Sequence, residues 1–284
     1  TEDRRAFERY LPGTLNVSGQ VGPLVHFAET HDNNRLAANS HTYSTMRTAL
    51  AALISHNGCF GITNGVEWFA SEKVDVHGAS ALRWGNPDNQ VELIGRLNSI
   101  LEVSPAFHAG AGVRMIQMLG GNSLAVLRTS AGGGSGGSVL VLVNLSASVE
   151  QSVSWAASEF DPSGSEVCDL LSGGVQTLPQ AVNGFYSMRL EPGQVLCITT
   201  DLPLCAKVDA MSASLRLFKP EVVERQELRS HALRVRASLS GGKPLGLEED
   251  VDDLALKLAR DPVAFMNGFL PEGDMPPVTE CVIP

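Results

Sequence analysis

The 284-residue chain is short of three things, and each shortage narrows its function. It has no excess of basic residues: 21 Lys and Arg face 31 Asp and Glu, a formal net charge of −10. Nucleic acid is bound by neutralising phosphates with cations, so it is not an expected partner. It has no apolar run of membrane-spanning length and no basic n-region leading into an apolar h-region. Neither a membrane nor a secretion route is therefore expected. It has no Cys-x-x-Cys pair. Cys59, Cys168, Cys197, Cys205 and Cys281 are scattered and odd in number, which reads as reduced, mostly buried thiols in a cytoplasmic protein.

A hydrophobic fraction of 43% is ample for a packed core, and the length permits one or two domains. Both ends look cut. Thr1 runs straight into a helical pattern, Arg4 to Tyr10, and Val278 to Pro284 stops in a β-prone run, so a fragment of a longer polypeptide is expected.

The most informative stretch is Val25-His26-Phe27-Ala28-Glu29-Thr30-His31-Asp32-Asn33-Asn34-Arg35. Pro23 to Phe27 reads as a short buried strand that ends in ionisable side chains. In parallel α/β folds the groups that do chemistry sit at the C-terminal ends of strands. From Thr42 to Ile54 apolar residues recur at helical spacing, and His56-Asn57-Gly58 reads as the stop. Cys59 to Trp68 reads as a second short strand and its outgoing loop. Strand, helix, strand is a βαβ unit, which implies a parallel pair. A loop with Trp84-Gly85-Asn86-Pro87 precedes a further helix from Asn89 to Glu102, which Ser104-Pro105 ends.

From Val113 the period changes. Val113–Leu119 and Ser123–Arg128 flank Gly120-Gly121-Asn122 as a hairpin, and Ser138–Leu145 is a strongly apolar strand. Further β-type runs lie near Gln151–Trp155, Glu166–Asp169, Gly184–Leu190 and Gln194–Thr200, a spacing that predicts an antiparallel sandwich. Gly132 to Gly137 contains G-x-G-x-x-G. It joins two strands instead of opening a helix, so it reads as a flexible hairpin loop and not as a nucleotide fingerprint. Beyond Pro203 the sequence is helical and charged, with a capped, acidic-starting helix from Pro220 to Arg236, a loop from Ser238 to Pro244, and a second helix from Glu248 to Arg260.

The order of these elements resembles the C-terminal part of the α-amylase superfamily of glycoside hydrolases, family 13. His31-Asp32 looks like its last conserved region, Gly65-Val66-Glu67 like the turn after its last barrel strand, and "VLVLVNLS" and "RLEPGQVLCIT" like strands of the domain that follows. The resemblance covers roughly residues 20 to 200. It implies α/β followed by all-β: residues 1–110 as the C-terminal portion of a (β/α)8 barrel, 111–202 as a β-sandwich, and 203–284 as a helical tail. That tail matches no part of the family's architecture. It reads equally as a lead into a further domain or as a helical cap on the sandwich.

The resemblance also assigns roles. A retaining α-glycosidase needs a nucleophilic carboxylate and an acid/base carboxylate. Asp32 matches a third carboxylate, which grips sugar hydroxyls in the distorted state, and His31 matches the sugar-binding His beside it. Taken alone, the pair reads as a helix N-cap and an incidental His. Arg35 is either a sugar ligand or a salt-bridge partner. Glu29, two residues before His31, points inward with it if strand alternation continues. His26, inside the apolar strand, reads as a satisfied core histidine. Glu67 lines the mouth of the barrel or makes an ion pair. Trp68 and Trp84 are sugar-stacking platforms or core residues. Asp75 and His77 have no metal-ligand spacing with His31, so neither a metal nor another cofactor is expected. The family's nucleophile and acid/base lie upstream of the His-Asp region, and nothing in residues 1–23 matches them. The implied function is the C-terminal fragment of an α-glucan-active hydrolase or transglycosylase. It would act on starch, glycogen or maltooligosaccharides only together with the missing barrel half of the same polypeptide. The alternative is a noncatalytic carbohydrate-binding or scaffolding module on a degenerate barrel.

Overall fold

A computed structural model describes residues 3–73, 82–116, 121–132, 137–162, 166–215, 217, 219–240, 246, 250–270 and 277–280. The chain divides into two compact units: Thr1–Ser80 with Asn89–Leu217, and Ala81–Asp88 with Phe218–Pro284.

In the first unit, α1 (Arg4–Val21) starts on Asp3, whose side chain accepts the Arg5 N–H. It ends at Gly22, where φ is +121°. β1 (His26–Phe27) is much shorter than the expected Pro23–Phe27 run. Pro23 has no N–H to give a ladder, and the N–H of Leu24 is used by the Ser18 hydroxyl at 2.9 Å. α2 (His41–Leu53) is capped by Ser40, whose hydroxyl accepts the Tyr43 N–H at 3.0 Å. β2 (Phe60–Gly61) then pairs with β1 in parallel, His26 opposite Phe60 and Phe27 opposite Gly61. The expected βαβ order is therefore present. α3 (Val91–Val103) follows.

From residue 112 the sheets are antiparallel. β3 (Gly112–Met115), β4 (Ser123–Thr129), β5 (Ser138–Asn144), β6 (Gln151–Ala156), β7 (Glu166–Asp169), β8 (Val175–Thr177), β9 (Phe185–Leu190) and β10 (Val195–Thr199) form two sheets. The larger runs β3-β4-β5-β10-β7-β8, and β6 pairs with β9. One face of the larger sheet (Ala125, Leu140, Leu142, Ile198) packs on Val153, Trp155, Tyr186 and Leu190 of the smaller. Its other face (Val126, Val139, Val141, Val143) packs on Met46, Leu50 and Leu53 of α2 and on Leu97 and Ile100 of α3. Burial on both faces explains why β5 reads as an unbroken apolar run. The glycine loop lies between paired Thr129 and Ser138; its residues 133–136 are outside the described set, as are 117–120 of the first hairpin.

α4 (Leu202–Ser214), capped by Asp201, belongs to this first unit, so the segment from residue 203 does not separate at that point. Cys168 on β7 and Cys205 on α4 form a disulfide, which corrects the reading of all five cysteines as reduced thiols. Scattered spacing in sequence says nothing about which thiols the fold brings together.

In the second unit, α5 (Pro220–Leu239), α6 (Val251–Arg260) and α7 (Pro262–Asn267) bury Ala232, Leu254, Leu258 and Phe265 together. The expected cap on α5 is absent: Lys219 makes no side-chain capping bond. Asp250 caps α6 and Asp261 caps α7.

Candidate functional site

β1 and β2 run parallel, so the segments leaving their C-terminal ends emerge together. The first carries Glu29, His31, Asp32 and Arg35; the second carries Thr63, Asn64 and Glu67. The two are tied at several points. The Thr63 hydroxyl donates to the Glu29 carbonyl at 2.8 Å, and Arg35 Nη2 donates to the Asn64 carbonyl at 3.0 Å.

The sequence-predicted residues fall into distinct environments. His31 and Asp32 lie at the tip of a turn, with the Asn33 N–H on the Thr30 carbonyl at 3.2 Å. His31 Nε2 is 3.4 Å from Asp32 Oδ1, and the two side chains are 56% and 81% exposed. Asp32 caps no helix, because α2 takes its cap from Ser40 and the 3-10 turn Leu36–Ala38 starts from Arg35. The bland N-cap reading of Asp32 is thereby removed.

Arg35, expected as either a sugar ligand or an ion-pair partner, is fully buried, with Nε 2.5 Å from Glu29 Oε1. No face of it is open to a ligand. Glu29 is buried as well, and its other oxygen accepts the Leu36 N–H at 2.6 Å. Glu29 and His31 therefore do not point the same way. Strand alternation stops at Phe27, and the residues beyond follow turn geometry.

Glu67 lies in the turn that Gly65 opens at φ +90°. Its Oε2 accepts the Gly65 N–H at 3.0 Å. Burial pushes its carboxyl above the usual carboxylate range, opposed in part by backbone N–H donors and by the Arg35 charge. Glu67 is thus a carboxyl that holds its proton more strongly than a free one, in the 3-10 turn Val66–Trp68 on the segment that leaves β2.

Trp68 is buried, in keeping with a core role. Trp84 is 40% exposed and belongs to the second unit. Asp75 and His77 lie outside the described residues. Among the described residues no three His, Cys, Asp or Glu side chains gather as a metal site.

His26 departs from expectation. It is half-buried and its Nε2 has no hydrogen-bond partner, so it is not a satisfied core histidine. Burial, together with the positive groups of His56 and Arg128, pulls its pKa below the ordinary value. Thr63 and Asn64, which anchor the His31–Asp32 loop, were not singled out from the sequence. Their only signal was their place directly after a predicted strand.

No family model matches the sequence, and no curated protein matches it. Among solved structures the chain is similar to the crystal structure of an α-amylase from Lactobacillus plantarum, at 17% identity and a TM-score of 0.50. The match covers 67% of this chain and 42% of that one. The fold is amylase-like. At that identity the likeness speaks to fold alone, and the chain spans less than half the length of the structure it matches.

Proposed function

We propose that this chain is the C-terminal portion of an α-amylase-type, retaining glycoside hydrolase or transglycosylase. Residues 1–110 would complete a (β/α)8 barrel and residues 111–202 a β-sandwich. Asp32 would grip sugar hydroxyls in the transition state and His31 would bind the sugar beside it, with Glu67 at the mouth. The observation that carries the reading is the parallel β1–α2–β2 unit, whose adjacent C-terminal ends deliver His31-Asp32 and Glu67. The amylase-like fold supports it. So does the exposure of Val25 (54%) and Phe27 (48%), since parallel strands are normally covered on both faces and the remaining strands of a closed barrel, facing β1 across its interior, would cover them. The nucleophile and the acid/base would come from those strands. The substrate would be an α-glucan or oligosaccharide.

The test is calorimetric titration of the chain with maltoheptaose, wild type against Asp32→Asn. Saturable binding that the substitution weakens is expected; binding that is absent, or indifferent to residue 32, would sink the sugar site. A second reading is favoured by the openness of the pair. His31 and Asp32 are largely solvated, as suits a noncatalytic carbohydrate-binding module. Normal turnover by an Asp32→Asn variant of the polypeptide that contains this chain, with binding weakened, would favour the module.

A further inference from the structure

The loop that carries His31 and Asp32 is shut by a buried ion pair. One carboxylate oxygen of Glu29 lies 2.5 Å from Arg35 Nε, and the other accepts the Leu36 N–H at 2.6 Å. Glu29 thereby grips the far end of the loop that it begins. The same two residues bolt that loop to its neighbour, through the Glu29 carbonyl to the Thr63 hydroxyl and through Arg35 Nη2 to the Asn64 carbonyl. Asn64 leads directly into the turn where Glu67 accepts the Gly65 N–H. The chain of contacts therefore runs from the base of one strand-end loop to the carboxyl of the other, while His31 and Asp32 at the tip stay open.

Stability alone is a poor reason for this arrangement. Removing two charges from water offsets most of their attraction, and apolar side chains of similar volume often do as well. What the pair provides is a charge contact that holds two directional bonds in place, Leu36 N–H to Glu29 and Arg35 Nη2 to the Asn64 carbonyl. We propose that Glu29 and Arg35 are positioning residues that fix the His31–Asp32 loop in register with Asn64 and hence with Glu67. That they do so for a sugar rests on the function proposed above. Neither side chain touches a ligand in this role.

The test uses the whole chain carrying Glu29→Gln together with Arg35→Met, which keeps an acceptor for the Leu36 N–H and removes both charges. Backbone order parameters of residues 30–34, a thermal melt and maltoheptaose affinity are measured in parallel. The melt should stay close to wild type, while the order parameters fall from the rigid range near 0.85 to below about 0.6. Affinity should weaken roughly tenfold, the size of one lost charge-assisted contact. Unchanged order parameters in the folded variant, or loosened ones with unchanged affinity, overturn the proposal. If wild type binds no maltoheptaose, the sugar reading fails and the order parameters alone decide the positioning role. If the double variant unfolds, Arg35→Lys decides in its place. It keeps a charge beside Glu29 and loses the bond to Asn64, so the loop should loosen partially; a loop as rigid as wild type rejects the proposal.

Discussion

At Asp32 the structure separates two roles that the sequence left joined. A capping aspartate would be tied to a backbone N–H, yet Asp32 begins no helix and is 81% exposed. Asp32→Asn should therefore leave the melting temperature unchanged. In the polypeptide that turns over substrate, it should lower kcat more than it raises KM, by about two to three orders of magnitude for ~3–4 kcal/mol of transition-state binding. Steady-state kinetics with a melt as control checks this, and near-wild-type kcat rejects it. Glu67 makes a prediction of opposite electrostatic sense. Its folded pKa is raised, so its contribution to stability is full below the ordinary 4.5 and is lost as pH rises through the folded value. Glu67→Gln keeps an acceptor for Gly65 and should stabilise the fold at pH 8 while changing little at pH 4, as read from melts at both. His26 runs the other way. Its folded pKa is lowered, so its contribution is present above the ordinary 6.5 and lost as pH falls below it. The melting temperature should fall between pH 7 and pH 5, and His26→Gln should flatten that slope; an equal slope in the variant removes His26 as the cause. The His-Asp pair was legible because it breaks off an apolar run. The fate of Arg35 was not, since its burial depends on Glu29 turning back to meet it, and turn geometry leaves no periodic trace.

Among the elements, α2 shows what was and was not legible. Its start is written in Ser40, and its body in Met46, Leu50 and Leu53 at helical spacing. Its end is not local. His56-Asn57-Gly58 does turn the chain, with Asn57 at φ +51°, but the closing carbonyls are met from β4. Arg128 donates to the carbonyls of Leu53 (3.0 Å), Ser55 (3.0 Å) and Ala106 (2.9 Å), and its guanidinium lies 4.1 Å over the Phe107 ring. A cation at a helix C-terminus also interacts favourably with the negative end of the helix dipole, and burial lowers the Arg128 pKa to about 10 without discharging it at neutral pH. Arg128→Met would leave three buried acceptors without a donor and should cost about 3 kcal/mol or more in a urea melt. A loss under about 1 kcal/mol would mean that water replaces the guanidinium. The strands with one or two apolar faces were read from the sequence. β8 was not, because Val175, Gln176 and Thr177 are all exposed and carry no alternation. α4 falls in the stretch beyond Pro203 that reads as helical, but its place in the first unit was not legible, since its apolar residues Leu204, Cys205 and Val208 pack into the core with α3 instead of into a tail.

At the scale of the whole molecule, the described carboxyls at the strand ends are already engaged. Glu29 is held by Arg35 and Leu36, and Glu67 by Gly65, which leaves Asp32 as the open one of the three. Retaining glycosidases work with two carboxyl groups about 5–5.5 Å apart, one attacking and one delivering a proton. A Glu29 moved into that role would have to abandon Arg35 as an unpaired buried charge, at a cost of about 3–5 kcal/mol. Glu67, whose pKa burial raises, would in any case need an attacking partner, since a lone acid protonates a leaving group to no effect. The chain by itself is therefore expected to show no hydrolysis of starch, glycogen or maltooligosaccharides. Reducing-sugar release by the purified chain measures this. Release that disappears in Asp32→Asn or Glu67→Gln would mean that the chain holds a complete site, and that its partner carboxylates lie among residues other than those the amylase-like reading assigns.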